Sequence, residues 1–540
     1  MSKKLRIVMA QLDLIVGDIP GNLKKHIEAA NTARDTLKAD IIVFPELSIT
    51  GYPAEDLLLR PSFINAANDA VNTFKETVRD IHCLIGHPHA NSKGLHNSCS
   101  LIYNGTILSR YAKQHLPNYG VFDEKRYFIP GDSASVVPIH GIPVGITICE
   151  DLWFAGPAQQ AATQGARLIL SPNASPFEIN KQHRREDMLA KRAKANGIPI
   201  VYVNCVGGQD DLIFDGGSMV VDSNGTLCQH AGFFKETLFP VDLEVSAADT
   251  KVQQSPIVLP DENERIYQAL VMGVRDYIQK NRFPGALIGL SGGIDSALTL
   301  AIAVDALGKD KVKAVMMPSR YTADISNEDA IAMVKHMGVQ SETISIEPMF
   351  TAILSSLAPQ FAETKVDITE ENIQARCRGI LLMALSNKFG SIVLTTGNRS
   401  ELAVGYSTLY GDMAGGFCVL KDVPKTLVYE LANYRNRIDP IIPQRIIDRP
   451  PTAELAFDQK DEDSLPPYAE LDQILELYLN QEKSLDEIVA SGFDQATVSR
   501  VIKMINRNEY KRRQSPLGIR INNTAFGRDR RYPVTSGFDK

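Results

Sequence analysis

The hexapeptide Ser291-Gly292-Gly293-Ile294-Asp295-Ser296 sits between the apolar run Ala286-Leu287-Ile288-Gly289-Leu290 and an apolar stretch that continues to about Leu307. Two glycines between small hydroxyls let backbone N–H groups turn toward one anion. The start of the following helix adds the positive end of its dipole. Asp295 would repel a phosphate unless a cation lay between them, so the same loop points to Mg²⁺. It is not a Walker A loop, which needs Gly-Lys-Ser/Thr, nor a dinucleotide fingerprint, which needs Gly-x-Gly-x-x-Gly.

A second candidate is Cys149, at the end of Val144-Gly145-Ile146-Thr147-Ile148 and directly before Glu150-Asp151-Leu152-Trp153. A cysteine where a buried strand becomes a loop is placed to be an exposed nucleophile, if something stabilises its thiolate. Taken alone it reads better as a small core residue. Two other segments carry matching chemistry. Phe44-Pro45-Glu46-Leu47 puts a carboxylate just after an Ile41–Phe44 strand, and Tyr111-Ala112-Lys113-Gln114-His115 leads through Tyr119 to Phe122-Asp123-Glu124. His82, His87 and His89 lie close together, but without a nearby Cys or Asp to complete a ligand set they read as loop-end polar residues.

The elements that must hold these residues follow from periodicity. Over the first 240 residues, Val/Ile-rich runs at Arg6–Leu12, Ile41–Pro45, Ile81–Gly86, Ser100–Tyr103, Val144–Cys149, Arg167–Ser171, Pro199–Asn204 and Met219–Asp222 alternate with helical stretches such as Asn22–Leu37 and Gln182–Ala195. Asn104-Gly105 and Asn224-Gly225 are hairpin signals, so some strands are antiparallel neighbours. After a polar linker at 246–261, strands at Ala286–Leu290, Lys313–Met317, Thr343–Ile346 and Ile392–Thr395 alternate with helices, including Glu262–Lys280, Asp324–Met337 and Glu371–Phe389. That pattern is a parallel α/β unit with chemistry at the strand C-terminal ends. Leu471–Arg507 reads as helical, with a capping box at Ser484…Glu487.

The totals agree. A chain of 540 residues exceeds one ordinary core, and 44% hydrophobic with 22% charged residues excludes extended disorder. A net charge of −7 gives no support to a nucleic-acid binder. Seven scattered cysteines without a Cys-x-x-Cys pair suggest a reducing compartment. With no 18-residue apolar stretch and no signal-like N-terminus, the chain is expected to be soluble, off the membrane and cytoplasmic.

The Glu46, Lys113 and Cys149 segments resemble, in order and flanking sequence, the nitrilase or carbon–nitrogen hydrolase superfamily. The Ser291–Ser296 loop resembles the pyrophosphate loop of the N-type ATP pyrophosphatases. Met317-Pro318-Ser319-Arg320, Asn372-Ile373-Gln374-Ala375-Arg376, Thr395-Thr396-Gly397-Asn398-Arg399-Ser400-Glu401, Gly411-Asp412, Val423-Pro424-Lys425-Thr426 and Arg449-Pro450-Pro451-Thr452-Ala453-Glu454 extend that likeness to the NAD synthetases, in their glutamine-dependent form. The resemblance implies a nitrilase-like αββα sandwich at 1–245 and a Rossmann-like parallel α/β domain at 262–540 with a helical extension. It also implies a homo-oligomer.

By residue type, Glu46 can take and return a proton, Cys149 can form a thioester and Lys113 can stabilise an oxyanion, with Glu124 orienting Lys113. By resemblance, Tyr119, Ser175 and Lys181 contact glutamine, although Tyr119 and Lys181 also read as a packed aromatic and a solvated helix charge. Gly289, Leu290, Ser291, Gly292, Gly293, Ile294, Asp295, Ser296 and Thr396 match ATP positions. Asn372, Glu401 and Lys511 match deamido-NAD positions, and Asp295 with Glu401 would hold Mg²⁺. Arg399 stands where many relatives carry Lys. The basic run 507–531 reads as a phosphate clamp or as surface pairing, with nucleic-acid binding ranked last. Amidation of a different carboxylate through an adenylate stays open as the alternative.

Overall fold

The computed structural model describes residues 2–246, 249–456 and 459–538. Two compact units divide it, Met1–Glu262 and Asn263–Lys540. Within the segment expected as a linker, Ala247 and Ala248 lie outside the described residues, and Thr250–Val252 pairs as an edge strand with Thr237–Val245.

In the first unit the alternation along Lys3–Gln11 decides the layers. Leu5, Ile7 and Met9 face one way and pack with Val144, Ile146, Val201 and Val203; Val8 and Ala10 face the other way, under helices. That strand is central to a seven-stranded sheet, and its partners belong to a six-stranded sheet packed face to face with the first. Small residues allow close helix cover. Ala29, Ala30 and Ala33 of Ile19–Asp35 and Ala67 and Ala70 of Pro61–Thr77 lie on the first sheet, while Ala158 and Ala161 of Ala155–Thr163 and Leu189 of Lys181–Asn196 lie on the second. The result is the expected αββα sandwich. Asn104 and Gly105 both take positive φ, +44° and +84°, which fits the twist of the hairpin joining Gly94–Tyr103 to Thr106–Ala112.

The second unit carries a five-stranded, wholly parallel sheet in the order Gln340–Thr343, Val312–Met316, Ala286–Gly289, Ile392–Thr395, Phe417–Cys418. The strand order switches between Ala286–Gly289 and Ile392–Thr395, with successive strands added outward on either side, so a crevice opens at their C-terminal ends. Two expectations shift. The outer strand is Gln340–Thr343 rather than Thr343–Ile346: its four residues are all exposed at the sheet edge and carry no apolar signal. Ile346 instead precedes the helix Glu347–Phe361. The stretch 471–507 is not one helix but Tyr468–Leu475, a π turn, Leu485–Ala490 and Gln495–Arg507. Ser484 and Asp494 each cap a new start, and Glu482 and Gly492 take positive φ between them. The Ser484–Glu487 capping box is present.

One buried ion pair fixes the loop after strand Leu168–Asn173. Arg185 donates to both oxygens of Asp215 at 2.9 and 3.0 Å, to the carbonyls of Ser175 and Pro176 at 2.8 and 3.0 Å, and to Ser175 Oγ at 3.1 Å. Asp215→Ala leaves that guanidinium buried without its counter-charge, which costs about 3–5 kcal/mol. Urea denaturation should show a correspondingly lowered midpoint for the transition of the first unit. The double variant Arg185→Met/Asp215→Leu should lose less than Asp215→Ala alone.

Candidate functional site

Each unit holds one chemical centre. In the first, Glu46 follows strand Ile41–Val43 and Lys113 follows Thr106–Ala112 in one sheet, while Cys149 follows Ile142–Ile146 in the other. Asp151 ties the two sheets together at this point. Its carboxylate accepts from Tyr111 Oη at 2.8 Å, from the N–H groups of Gln114 and His115 at 3.0 and 2.9 Å, and from Ile148 N–H at 3.0 Å. Those bonds clamp the turn Cys149–Trp153 against the segment carrying Lys113. They also hold Cys149 at φ +42°, a left-handed conformation that costs a non-glycine residue about 1–3 kcal/mol.

Lys113 Nζ lies 2.6 Å from Glu46 Oε1 and 2.8 Å from Glu124 Oε1, with all three side chains at most 5% exposed. Burial works against the Lys113 ammonium, but Glu124 and Glu46 outweigh it and raise its pKa well above the ordinary lysine value. Burial pushes the Glu124 carboxyl up, against the pull of Lys113. Glu46 Oε1 also accepts from Asn97 Nδ2 at 2.7 Å, and Oε2 from Ala174 N–H at 3.0 Å; Tyr52 Oη donates to Glu124 at 2.9 Å. Cys149 is buried, not exposed as the loop position suggested. Burial and then Glu46 drive its thiol pKa well above the ordinary value, with Lys113 opposing. A thiol in that state needs a base at the moment of attack, and the neighbouring carboxylate can supply one.

Of the residues matched to glutamine, Tyr119 and Lys181 both meet Phe122. Tyr119 is 59% exposed, its hydroxyl donates to both oxygens of Glu150 at 3.0 and 3.1 Å, and its ring meets Phe122 edge-on at 5.6 Å. Lys181 is not a solvated charge: it is buried, pairs with Glu178 at 3.1 Å and lies 5.9 Å from the Phe122 ring centre. Ser175 is fixed by Arg185 and by Asn204 Oδ1, which accepts its N–H at 2.8 Å.

In the second unit a cavity of about 370 Å³ opens at the crevice between the two central strands. Gly289, Leu290, Ser291, Gly293, Ile294, Asp295, Ser296, Thr396, Asn372, Glu401 and Lys511 all line it. Gly292 shapes the loop from behind: it takes φ +83°, and a Cβ there would lie 2.3 Å from Ser326 O. Lys425 joins the two expected metal carboxylates, with Nζ donating to Asp295 Oδ2 and to Glu401 Oε1, the latter at 3.2 Å. Asn398 joins them a second way. Its Nδ2 donates to Asp295 Oδ1 at 2.9 Å, and its Oδ1 caps the helix Arg399–Val404 by accepting Glu401 N–H at 3.0 Å. Asn372 Oδ1 accepts from Thr408 Oγ1 at 2.7 Å, and Lys511 Nζ donates to the carbonyls of Gly405 and Ser407, both at 2.8 Å.

Arg399 is buried away from the cavity, donating to Asp422, to Asn480 Oδ1 at 2.7 Å and to Thr524 O at 3.0 Å; this fork of contacts is one a lysine cannot make. Lys511 alone of the basic run lines the cavity, while Arg512 and Arg513 pair with Glu509 and Arg520 with Asp529. Asn97, Asp151, Asn398 and Lys425 were not singled out as site residues from sequence. Asn398 and Lys425 stood inside quoted motifs, but nothing local marked their side chains as bridges.

Over residues 6–251 the sequence matches the carbon-nitrogen hydrolase family, and over 266–515 the NAD synthase family. The glutamine-dependent NAD(+) synthetase of Xanthomonas campestris pv. campestris (strain 8004) is 48% identical over 543 residues, covering 99% of this chain and 98% of that one. The solved glutamine-dependent NAD+ synthetase of Acinetobacter baumannii, in complex with adenosine diphosphate, is 46% identical with a TM-score of 0.81 and 98% of each chain covered. That of Cytophaga hutchinsonii, 22% identical with a TM-score of 0.85 over 99% of this chain and 98% of that one, shares the fold. Matched along essentially its whole length, this chain belongs to the glutamine-dependent NAD(+) synthetase family.

Proposed function

We propose that the chain is a ligase that makes NAD from deamido-NAD, with ATP as co-substrate and glutamine as nitrogen donor, and that the residues above divide the work as follows. Cys149 gives its proton to Glu46 and attacks the glutamine carboxamide carbon. Lys113 stabilises the oxyanion, and ammonia departs with the proton Glu46 returns. Glu46 then takes a proton from water, which adds to the γ-glutamyl thioester; the Cys149 sulfur leaves, takes up that proton, and glutamate is released. Tyr119, Ser175 and Lys181 hold the glutamine.

In the second unit the nicotinate carboxylate of deamido-NAD attacks the α-phosphorus of ATP, and pyrophosphate leaves into the Ser291–Ser296 loop and the helix N-terminus behind it. Ammonia adds to the acyl-adenylate carbonyl and AMP departs. Asn372, Glu401 and Lys511 hold the dinucleotide, and Thr396 holds ATP. Asp295 and Glu401 both line the cavity, each paired with Lys425, and together offer carboxylate oxygens of the kind that suits Mg²⁺ completed by substrate phosphates. When bound there, Mg²⁺ neutralises charge building on the phosphates.

The observation that carries this reading is the Lys113 ammonium held between Glu46 and Glu124 beside Cys149, in the same chain as a glycine loop backed by Asp295 and Glu401. A homo-oligomer and a cytoplasmic location belong to the same proposal. All seven cysteines are free, which supports the second. Among the described residues no helix is long and apolar enough to cross a membrane.

Cys149→Ala should abolish glutamine-driven NAD formation while ammonium-driven formation continues. Equal loss of both in a folded variant would overturn the division of labour. Asp295→Asn, or chelation of divalent metal, should stop synthesis with either nitrogen source yet leave glutamine hydrolysis measurable as glutamate release. Release of AMP and pyrophosphate should require deamido-NAD; turnover with another carboxylate in its place would favour the alternative acceptor.

A further inference from the structure

Asn97 lies in strand Gly94–Tyr103 and is 1% exposed. Its backbone carbonyl accepts Lys113 N–H at 2.9 Å. Its side-chain Nδ2 donates to Glu46 Oε1 at 2.7 Å and to Glu124 Oε2 at 3.3 Å, the two carboxylates that flank Lys113 Nζ. The amide orientation follows from charge, because an oxygen turned toward two carboxylates would be repelled. The other end of the amide gains nothing: Oδ1 is buried with no hydrogen-bond partner. A buried acceptor without a partner is a cost that a fold carries only for a reason, and here the stability of the strand does not supply one. Glu46 keeps donors from Lys113 and Ala174 without Asn97, and Glu124 keeps Lys113 and Tyr52.

We propose that Asn97 is a positioning residue of the glutamine-hydrolysing centre, holding Glu46 aimed as the base while keeping it apart from Glu124. The proposal rests on the assignment of Glu46 as that base. The amide is suited to the task. It donates without adding charge, whereas a second ammonium would compete with Lys113 for the carboxylates and a carboxylate would repel both. Around Glu46 stand Lys113 from the strand end, Glu124 from the turn that follows, Cys149 and Glu150 from the opposite sheet, Tyr52 from the loop after Glu46, and Cys99 from the strand of Asn97 itself. Among these, Asn97 is the neutral donor that reaches both Glu46 and Glu124.

The test compares the full-length protein with Asn97→Leu, Asn97→Asp and Glu46→Gln, following glutamate release against pH, with thermal melting and ammonium-driven NAD formation as controls for folding. Leucine matches the shape and removes an orphaned acceptor, so melting should stay near that of the parent. A carboxylate that loses a donor to its charged form is protonated more readily. The acid limb of kcat/KM should therefore move to higher pH by about one unit in Asn97→Leu and further in Asn97→Asp, where a third acid crowds the pair. The KM for glutamine should change little, since Asn97 acts through Glu46. A lowered rate with the limb unmoved in both folded variants would overturn the proposal and make Asn97 structural. Glu46→Gln separates the two levels: if it hydrolyses glutamine as the parent does, the assignment of the base fails; if it is inactive while the Asn97 variants behave as the parent does, only the role of Asn97 fails.

Discussion

A lysine ammonium buried between two carboxylates organises each half of this protein. Lys113 lies between Glu46 and Glu124, and Lys425 between Asp295 and Glu401. Removing three charges from water costs several kcal/mol per ion, and Coulomb attraction repays it only when geometry and further hydrogen bonds are good. The surrounding structure supplies those bonds. Ala174 N–H, Asn97 and Tyr52 complete the first set, and Asn398 with the start of helix Arg399–Val404 completes the second. The strand ends, the clamp at Asp151 and the cap at Asn398 bring these donors to the same places.

The two triads sit in different surroundings. Around Lys113 the walls are closed, all three side chains being at most 5% exposed. That suits a base and an oxyanion partner that must act on a neutral carboxamide, because both strengthen as water is excluded. Around Lys425 the lysine is equally buried, but the carboxylates are 17% and 18% exposed and face the cavity behind the glycine loop. An open carboxylate pair suits chemistry in which highly charged phosphates arrive and leave with their cation.

Much of this was legible in the sequence where chemistry coincides with a strand end. Glu46, Lys113, Cys149 and the Ser291–Ser296 loop each follow an apolar run, so motif and element mark them together. The alternation of strands and helices in both units, and the parallel sheet of the second, followed from periodicity for the same reason, while the αββα layering of the first was implied by the resemblance. The edge strand Gln340–Thr343 was missed because four exposed residues carry no apolar signal. The breaks between 480 and 495 were missed because they rest on caps and positive φ rather than on hydrophobicity. Asn97, Asp151 and Lys425 act on residues as much as 130 positions away in the chain, and nothing in their neighbours announces the partner.

The state of Cys149 draws these threads together. Sequence placed it as an exposed nucleophile; the structure buries it, holds it in a left-handed turn and surrounds it with carboxylates that favour the protonated thiol. A resting thiol of this kind is a poor nucleophile toward adventitious electrophiles, since the thiolate is the reactive form. On the proposed assignment, Glu46 takes the thiol proton inside a closed site and Lys113 meets the negative charge on the sulfur or the substrate oxygen. The strain at Cys149, the bonds of Asp151 and the burial of the turn are parts of one arrangement that favours the protonated thiol at rest.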